Sequence, residues 1–191
     1  MSEQRTEELM IGMAHQCMRR GDARQARTIF REALHEFPQS AAVHMGLGIA
    51  CLRLGDRKAA ANHLKKATEI DPSNAKAFIN LGAVYIELGY LDRAIEILRH
   101  SIKLDAQSAD AHYNLGLAYK QNGKLHSAVV AYQDAIRLNQ RFSDAHINLA
   151  NLLLEEGQYS EAASHYRIVL EIDPQHTKAA MGLMVTDGIV R

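Results

Sequence analysis

The chain has 191 residues and contains no tryptophan, three prolines, two cysteines and no net charge, Lys+Arg and Asp+Glu both numbering 22. Each shortage excludes something. Balanced charge supplies no global basic field, so neither nucleic acid nor an anionic membrane surface is an expected partner, and recognition falls to local shape. No run of ~18 apolar residues is present, so direct membrane insertion is not expected. The opening residues, MSEQRTEELMIGMAHQ, carry early acidic side chains and no continuous apolar core of the length a signal peptide needs; a cytoplasmic location is the default expectation. No phosphate-binding glycine loop, nucleophile elbow or HExxH stretch occurs, so the chain is not expected to be an enzyme and no cofactor is implied.

What is present is a repeat. Gly21, Gly55, Gly89, Gly123 and Gly157 step by 34 residues, as do Ala26, Ala60, Ala94, Ala128 and Ala162. A fixed period in this range predicts a stacked array of helical hairpins rather than one closed domain. Ala109–Phe142 carries the pattern fully. Leu115, Gly116 and Tyr119 fall at helical spacing, Gly123 ends that run, and Ala128, Tyr132, Ala135 and Ile136 form a second helical stripe. Cys17 and Cys51 occupy equivalent places in adjacent repeats. Packed helices lie ~8–10 Å apart, too far for a disulfide, so both are expected as reduced core residues.

The period, the pairs Leu47-Gly48, Leu81-Gly82 and Leu115-Gly116, the alanine and aromatic marks of the second helix and the closing prolines Pro38, Pro72 and Pro174 resemble the tetratricopeptide (TPR) repeat. The resemblance implies an all-α, right-handed superhelix (solenoid) of five helix-turn-helix repeats, 7–40, 41–74, 75–108, 109–142 and 143–176. Residues 1–6 precede it and are expected to fray; 177–191 follow as a partial capping helix and tail. The first repeat reads as a loose version, with Met10, Met13, Ala14, Cys17, Ala26, Phe30 and Ala33 in its core. Ala106 and Gln140 replace the closing proline after the third and fourth repeats, where stiffer turns are not expected. The last segment starts like a sixth first helix, with Ala180 and Leu183, and is expected to lose the pattern at Asp187-Gly188; Ile189 and Val190 have no assigned role.

In such arrays the first helix of each hairpin lines a concave groove. The resemblance thereby places Ile11, Met45, Ile79, Tyr113 and Ile147 on that face at the fifth position of each repeat. At the sixth stand Gly12, Gly46, Asn80, Asn114 and Asn148, then Gly182. An asparagine carries both an acceptor and a donor and can meet the N–H and C=O of a passing peptide unit. The arrangement is similar to the asparagine ladder of O-GlcNAc transferase-type arrays, with Asn151 extending the polar patch. The expected peptide-binding residues are Asn80, Asn114, Asn148 and Asn151, with Met45, Ile79, Tyr113 and Ile147 beside them. The plainer reading is that these asparagines sit on a solvated helix face and bond locally. The carboxylate clamp of chaperone-tail binders is not matched, since Ile79, Ile11 and Gly12 stand where charge or amide is required.

The implied function is a protein–protein interaction adaptor that holds an extended segment of a partner in its groove. Two alternatives stand beside it. One is a self-assembling scaffold, as in the TPR proteins that coat bacterial magnetosomes. For it speaks a charge asymmetry: five arginines (Arg19, Arg20, Arg24, Arg27, Arg31) against Asp22 between residues 9 and 31 give +4. Six acidic residues (Asp144, Glu155, Glu156, Glu161, Glu171, Asp173) against Arg167 between 143 and 176 give −5. Opposite ends of this kind would associate head to tail, as a homo-oligomer through the array ends. The other alternative is the substrate-recognition arm of a glycosyltransferase-like enzyme. The ten histidines do not suggest a metal site: His44, His112 and His146 are equivalent, as are His63 and His165, and whole repeats separate them, so they are expected to stack along the array rather than converge.

Overall fold

The computed structural model describes residues 2–190, with side chains from 3 to 188. It is all-helical over these residues. The helices are α1 (Ser2–Arg19), α2 (Ala23–Glu36), α3 (Ala41–Arg53), α4 (Arg57–Ile70), α5 (Ala75–Glu87), α6 (Leu91–Leu104), α7 (Ala109–Gln121), α8 (Leu125–Leu138), α9 (Ser143–Glu155), α10 (Tyr159–Ile172) and α11 (Thr177–Val190). They pair as five hairpins, and α11 follows as an unpaired first helix. The five period-marking glycines all adopt positive φ, from 73° at Gly123 to 83° at Gly21, so each ends its helix in the left-handed conformation that a Cβ disfavours. Side-chain caps from Asp22, Ser40, Asp56, Asn74 and Ser108 accept a backbone N–H three residues on and start the helices that follow.

The chain divides into two compact units, Met1–Asp105 and Ala106–Arg191. The division falls at the first turn that lacks the closing proline. Unit 1 holds α1 to α6, around a core that includes Phe30, Val43, Leu47, Leu64, Leu81 and Val84. Unit 2 holds α7 to α11, with Tyr132, Leu149, Leu152, Tyr166 and Val169 fully buried.

Close approach within each hairpin depends on a small residue at the eighth position of its first helix. A Cβ added to Gly48 would lie 2.7 Å from Leu64 Cγ, and one added to Gly82 would lie 2.6 Å from Leu98 Cγ. The large residue they meet is equivalent in every repeat: Phe30, Leu64, Leu98, Tyr132, Tyr166. Where it is Phe30 or Tyr166 its ring also reaches forward, filling the space over Gly46 of α3 or Gly182 of α11.

Tyr132 and Tyr166 differ in one atom's fate. The Tyr166 hydroxyl donates to Asn151 Oδ1 at 2.6 Å. The residue equivalent to Asn151 in the preceding hairpin is Leu117, and the buried Tyr132 hydroxyl finds no hydrogen-bond partner. Burial, and then the neighbouring Tyr113, push its ionisation far above the ordinary tyrosine value. A buried unsatisfied hydroxyl costs about 1–3 kcal/mol, whereas a satisfied one contributes about 1 kcal/mol. Tyr132→Phe is therefore expected to leave stability unchanged or raise it, and Tyr166→Phe to lower it by about 1 kcal/mol, both read from chemical denaturation.

Three expectations need correction. Helix α1 begins at Ser2, not near Glu7, so residues through Thr6 extend it rather than fray; Glu3 in the first turn complements the positive helix end. Met13 is 50% exposed and is not a core residue, whereas its equivalents Leu47, Leu81 and Leu149 are buried where α2, α4 and α8 pack on the helices that carry them. Helix α11 continues through Asp187-Gly188, where an Arg167–Asp187 ion pair at 3.0 Å ties it to α10. The side chains of Ile189 and Val190 lie outside the described residues.

Candidate functional site

In unit 2 a cleft of about 440 Å³ opens between α7, α9 and the start of α11. It brings together four of the residues expected from the sequence: Tyr113 of α7 and Ile147, Asn148 and Asn151 of α9. Asp144, Asp173, Gln175, His176, Thr177 and Lys178 complete its wall. The hydrogen bonds that hold the asparagines decide what they present. Asn148 Nδ2 donates to the Asp144 carbonyl at 2.9 Å and to Tyr113 Oη at 3.3 Å. A backbone carbonyl only accepts, so the amide nitrogen is turned to the helix and the side-chain oxygen is the atom left over. Asn151 is the reverse: its oxygen receives the Tyr166 hydroxyl, leaving the amide nitrogen to donate. Asn114 repeats the Asn148 arrangement on α7, donating to the Asp110 carbonyl at 2.9 Å.

Tyr113 is fixed on several sides. Its ring lies 4.8 Å from that of Phe142 and 5.9 Å from that of Tyr132, centroid to centroid. Burial first, then the Asp144 carboxylate, raise its ionisation above the ordinary value, so it stays a neutral phenol while the Asn148 hydrogen bond works in the opposite sense. Ile147 is 7% exposed and offers the cleft little more than an edge.

In unit 1 the expected residues lie on α3 and α5. Met45 is half-buried against the core, and Ile79 and Asn80 are half-buried on α5. A separate hollow of about 550 Å³ lies along α6, with Phe78, Asp92, Ile95, Glu96 and Arg99 among its walls; none of the residues expected from the sequence lines it.

Two pairs of histidines at unlike positions, which a comparison of equivalent residues does not set side by side, meet across a hairpin. His44 Nδ1 lies 3.3 Å from His63 Nδ1, and His146 Nδ1 lies 2.9 Å from His165 Nδ1. The separation along the chain is 19 residues in both cases, which joins the fourth position of the first helix to the facing turn of the second. That shared offset is the signal a search for same-helix pairs passes over. In each pair the other ring nitrogen faces a carbonyl, His44 Nε2 to Pro38 at 3.3 Å and His146 Nε2 to Gln140 at 3.1 Å. The carbonyl requires a donor, so Nε2 carries the proton in the neutral ring. Nδ1 then accepts from the partner histidine. Burial and then His146 lower the pKa of His165 to about 4. His112, whose facing residue is Ala131, approaches Asp134 instead, at 3.7 Å. Among the described residues, no group of three or more His, Cys, Asp or Glu side chains could hold a metal ion. Cys17 and Cys51 are both free thiols. No described helix is long and apolar enough to cross a membrane.

Similar architectures are known. The chain superposes on Pseudomonas aeruginosa pilF with a TM-score of 0.91 at 23% identity, over 100% of this chain and 86% of that one. It matches MamA from Desulfovibrio magneticus RS-1 at 25% identity and a TM-score of 0.77, over 89% and 96% of the two chains. YrrB, a TPR protein with an unusual peptide-binding site, matches at 20% identity and a TM-score of 0.70, over 90% and 89%. No curated protein matches the chain by sequence. The family pattern described as the C-terminal domain of cilia and flagella-associated protein 70 extends over residues 2–181. With the helical-hairpin period and these TPR neighbours, that match places the chain in this TPR family, to which it belongs.

Proposed function

We propose that the chain is a protein-interaction adaptor whose second unit holds an extended segment of a partner polypeptide in the cleft between α7, α9 and α11. The observation that carries this reading is the opposed pair on one face of α9, a free acceptor at Asn148 and a free donor at Asn151. An extended backbone offers the complementary C=O and N–H, so the pair grips main chain regardless of sequence. Tyr113 and Ile147 supply apolar contact beside it, and Asn114 adds a further acceptor. The same chemistry on α3 and α5, from Met45, Ile79 and Asn80, is proposed as a second contact surface in unit 1. The peptide-binding site of YrrB, which shares the fold, supports the reading.

The test begins with peptides selected from a displayed library on the intact chain. Asn148→Ala combined with Asn151→Ala is expected to weaken them roughly 30-fold, at about 1 kcal/mol for each lost hydrogen bond. Thermal unfolding of the variant separates lost stability from lost binding. Selected peptides that bind the double variant as tightly as the wild type would remove the cleft from the function.

A second reading, self-association through the array ends, is favoured by α11, where Met181, Met184 and Val185 are 67%, 75% and 49% exposed. Light scattering at low salt and high protein concentration decides it: a monomer throughout ends that reading.

A further inference from the structure

The two histidine pairs meet with a geometry that a hydrogen bond uses only in part. In each, Nδ1 of one ring faces Nδ1 of the other, at 3.3 Å for His44 and His63 and at 2.9 Å for His146 and His165. In each, the ring on the first helix is also held from behind, its Nε2–H donating to a carbonyl in the turn before that helix, Pro38 or Gln140. This backbone contact fixes the tautomer and aims the Nδ1 lone pair across the hairpin. Metal-ligating histidines are oriented in the same way by the groups behind them. The distances agree: metal–nitrogen bonds of ~2.0–2.1 Å place two ligand nitrogens ~2.9 Å apart at a right angle and ~3.3 Å apart at the tetrahedral angle. Where the facing histidine is replaced, as Ala131 replaces it opposite His112, the arrangement is lost and the ring approaches Asp134 instead.

We propose that the His146–His165 pair binds a divalent late transition-metal ion, of the zinc, nickel or copper kind, through its two Nδ1 atoms, with water in the remaining positions. Imidazole nitrogens select such ions over calcium or magnesium, which prefer oxygen. Water completes the shell because, among the described residues, no third His, Cys, Asp or Glu joins the pair. His146 is buried and His165 half-buried, so the ion enters from the His165 side. In the metal-free pair His165 Nδ1 carries the proton that His146 Nδ1 accepts. Loading passes that proton through solvent to His165 Nε2 and leaves both Nδ1 lone pairs to the ion, with no net proton released. Burial lowers the ionisation of both rings, so near neutral pH protons do not compete for these lone pairs. The unit 1 pair shares the geometry in a less favourable field. Lys66 acts on His44, and Arg31 and Asp56 act on His63, two cations against one carboxylate. At the unit 2 pair the influences beside burial are the Gln140 carbonyl and the second ring. The assignment does not depend on the peptide-binding reading of the cleft.

Zinc chloride is the probe, titrated into the full chain near neutral pH in a non-coordinating buffer, with calorimetry and long-range proton–nitrogen NMR of the histidine rings as readouts. Saturable binding is expected, with the Nδ1 resonances of His146 and His165 shifting together while His146 Nε2 stays protonated. These resonances identify the ligands in the wild type without any variant. His165→Gln, whose amide can still donate to His146 Nδ1, is expected to weaken zinc at least ~10-fold. Zinc should raise the thermal midpoint of the wild type and leave that of His165→Gln unchanged. His112→Gln, which removes a histidine that has no facing ring, should bind as the wild type does. An absence of saturable binding, equal affinity in His165→Gln, or zinc that moves only the His44 and His63 resonances would overturn the proposal.

Discussion

Gly46→Asn, which writes the asparagine of the later repeats into the second one, is expected to destabilise unit 1 by about 3 kcal/mol. The added side chain must enter space filled by the Phe30 ring. Phe30 is fully buried and cannot retreat without opening the core. The compensating change is legible in the next hairpin, where Leu64, not an aromatic, occupies the place equivalent to Phe30 and Asn80 stands at the sixth position. Phe30→Leu alone leaves a cavity, and the two changes together are expected to recover most of the loss. Chemical denaturation of the two single variants and the double variant forms a cycle in which the coupling should exceed about 1 kcal/mol. Additive costs would mean that the Phe30 ring is not what excludes an asparagine at Gly46; the rule is local to that contact, since Tyr132 precedes a hairpin that carries Asn148.

Acidification from pH 7 to 4.5 is expected to lower the stability of unit 2 by roughly 1–3 kcal/mol through the His146–His165 pair. In the unfolded chain both rings titrate near ~6.5. In the folded unit burial lowers both, and proximity to His146 lowers His165 further, to about 4. Between those values the unfolded state binds more protons than the folded one. Stability is therefore complete above the unfolded value and falls as pH drops towards the folded one. Charging both rings would also set two cations against each other across a 2.9 Å contact. The pair in unit 1 acts in the same direction: burial lowers His44 and His63, with Lys66 and Arg31 adding to it and Asp56 opposing at His63. Denaturation midpoints of the wild type and of a His146→Gln/His165→Gln variant across this range should diverge in slope. Equal slopes would show that the pair does not govern acid stability.

Much of the architecture was legible because the repeat is a local code. A glycine every 34 residues, a small residue where two helices cross and a large one opposite it define a hairpin before any long-range contact is considered. The second helices keep the period: α2, α4, α6, α8 and α10 begin at Ala23, Arg57, Leu91, Leu125 and Tyr159, each 34 residues after the last. The ends of the chain were less legible. Met13 carries the repeat's apolar signal, yet burial at that position comes from the packing of another helix, as α2 supplies it to Leu47 and α4 to Leu81, and not from the helix's own pattern; Met13 itself is 50% exposed. Asp187-Gly188 looks like a break, but an ion pair and packing on α10 carry α11 through it.

The candidate site divides in the same way. Asn114, Asn148, Tyr113 and Ile147 could be named from register alone, since residues one period apart occupy the same helix face. Which atom each asparagine presents could not, because it depends on partners elsewhere: the Asp144 carbonyl and Tyr113 for Asn148, and the Tyr166 hydroxyl for Asn151. The histidine pairs illustrate the limit most directly. Comparison between repeats sets like residue against like, whereas His44–His63 and His146–His165 join unlike positions across one hairpin. By itself the sequence determined the repeat, the helices and the faces on which side chains stand, because these follow from helical periodicity within a few turns. Only the tertiary structure decided which polar atoms are consumed and which remain free, because hydrogen bonding is directional and each donor or acceptor is settled by what packs against it.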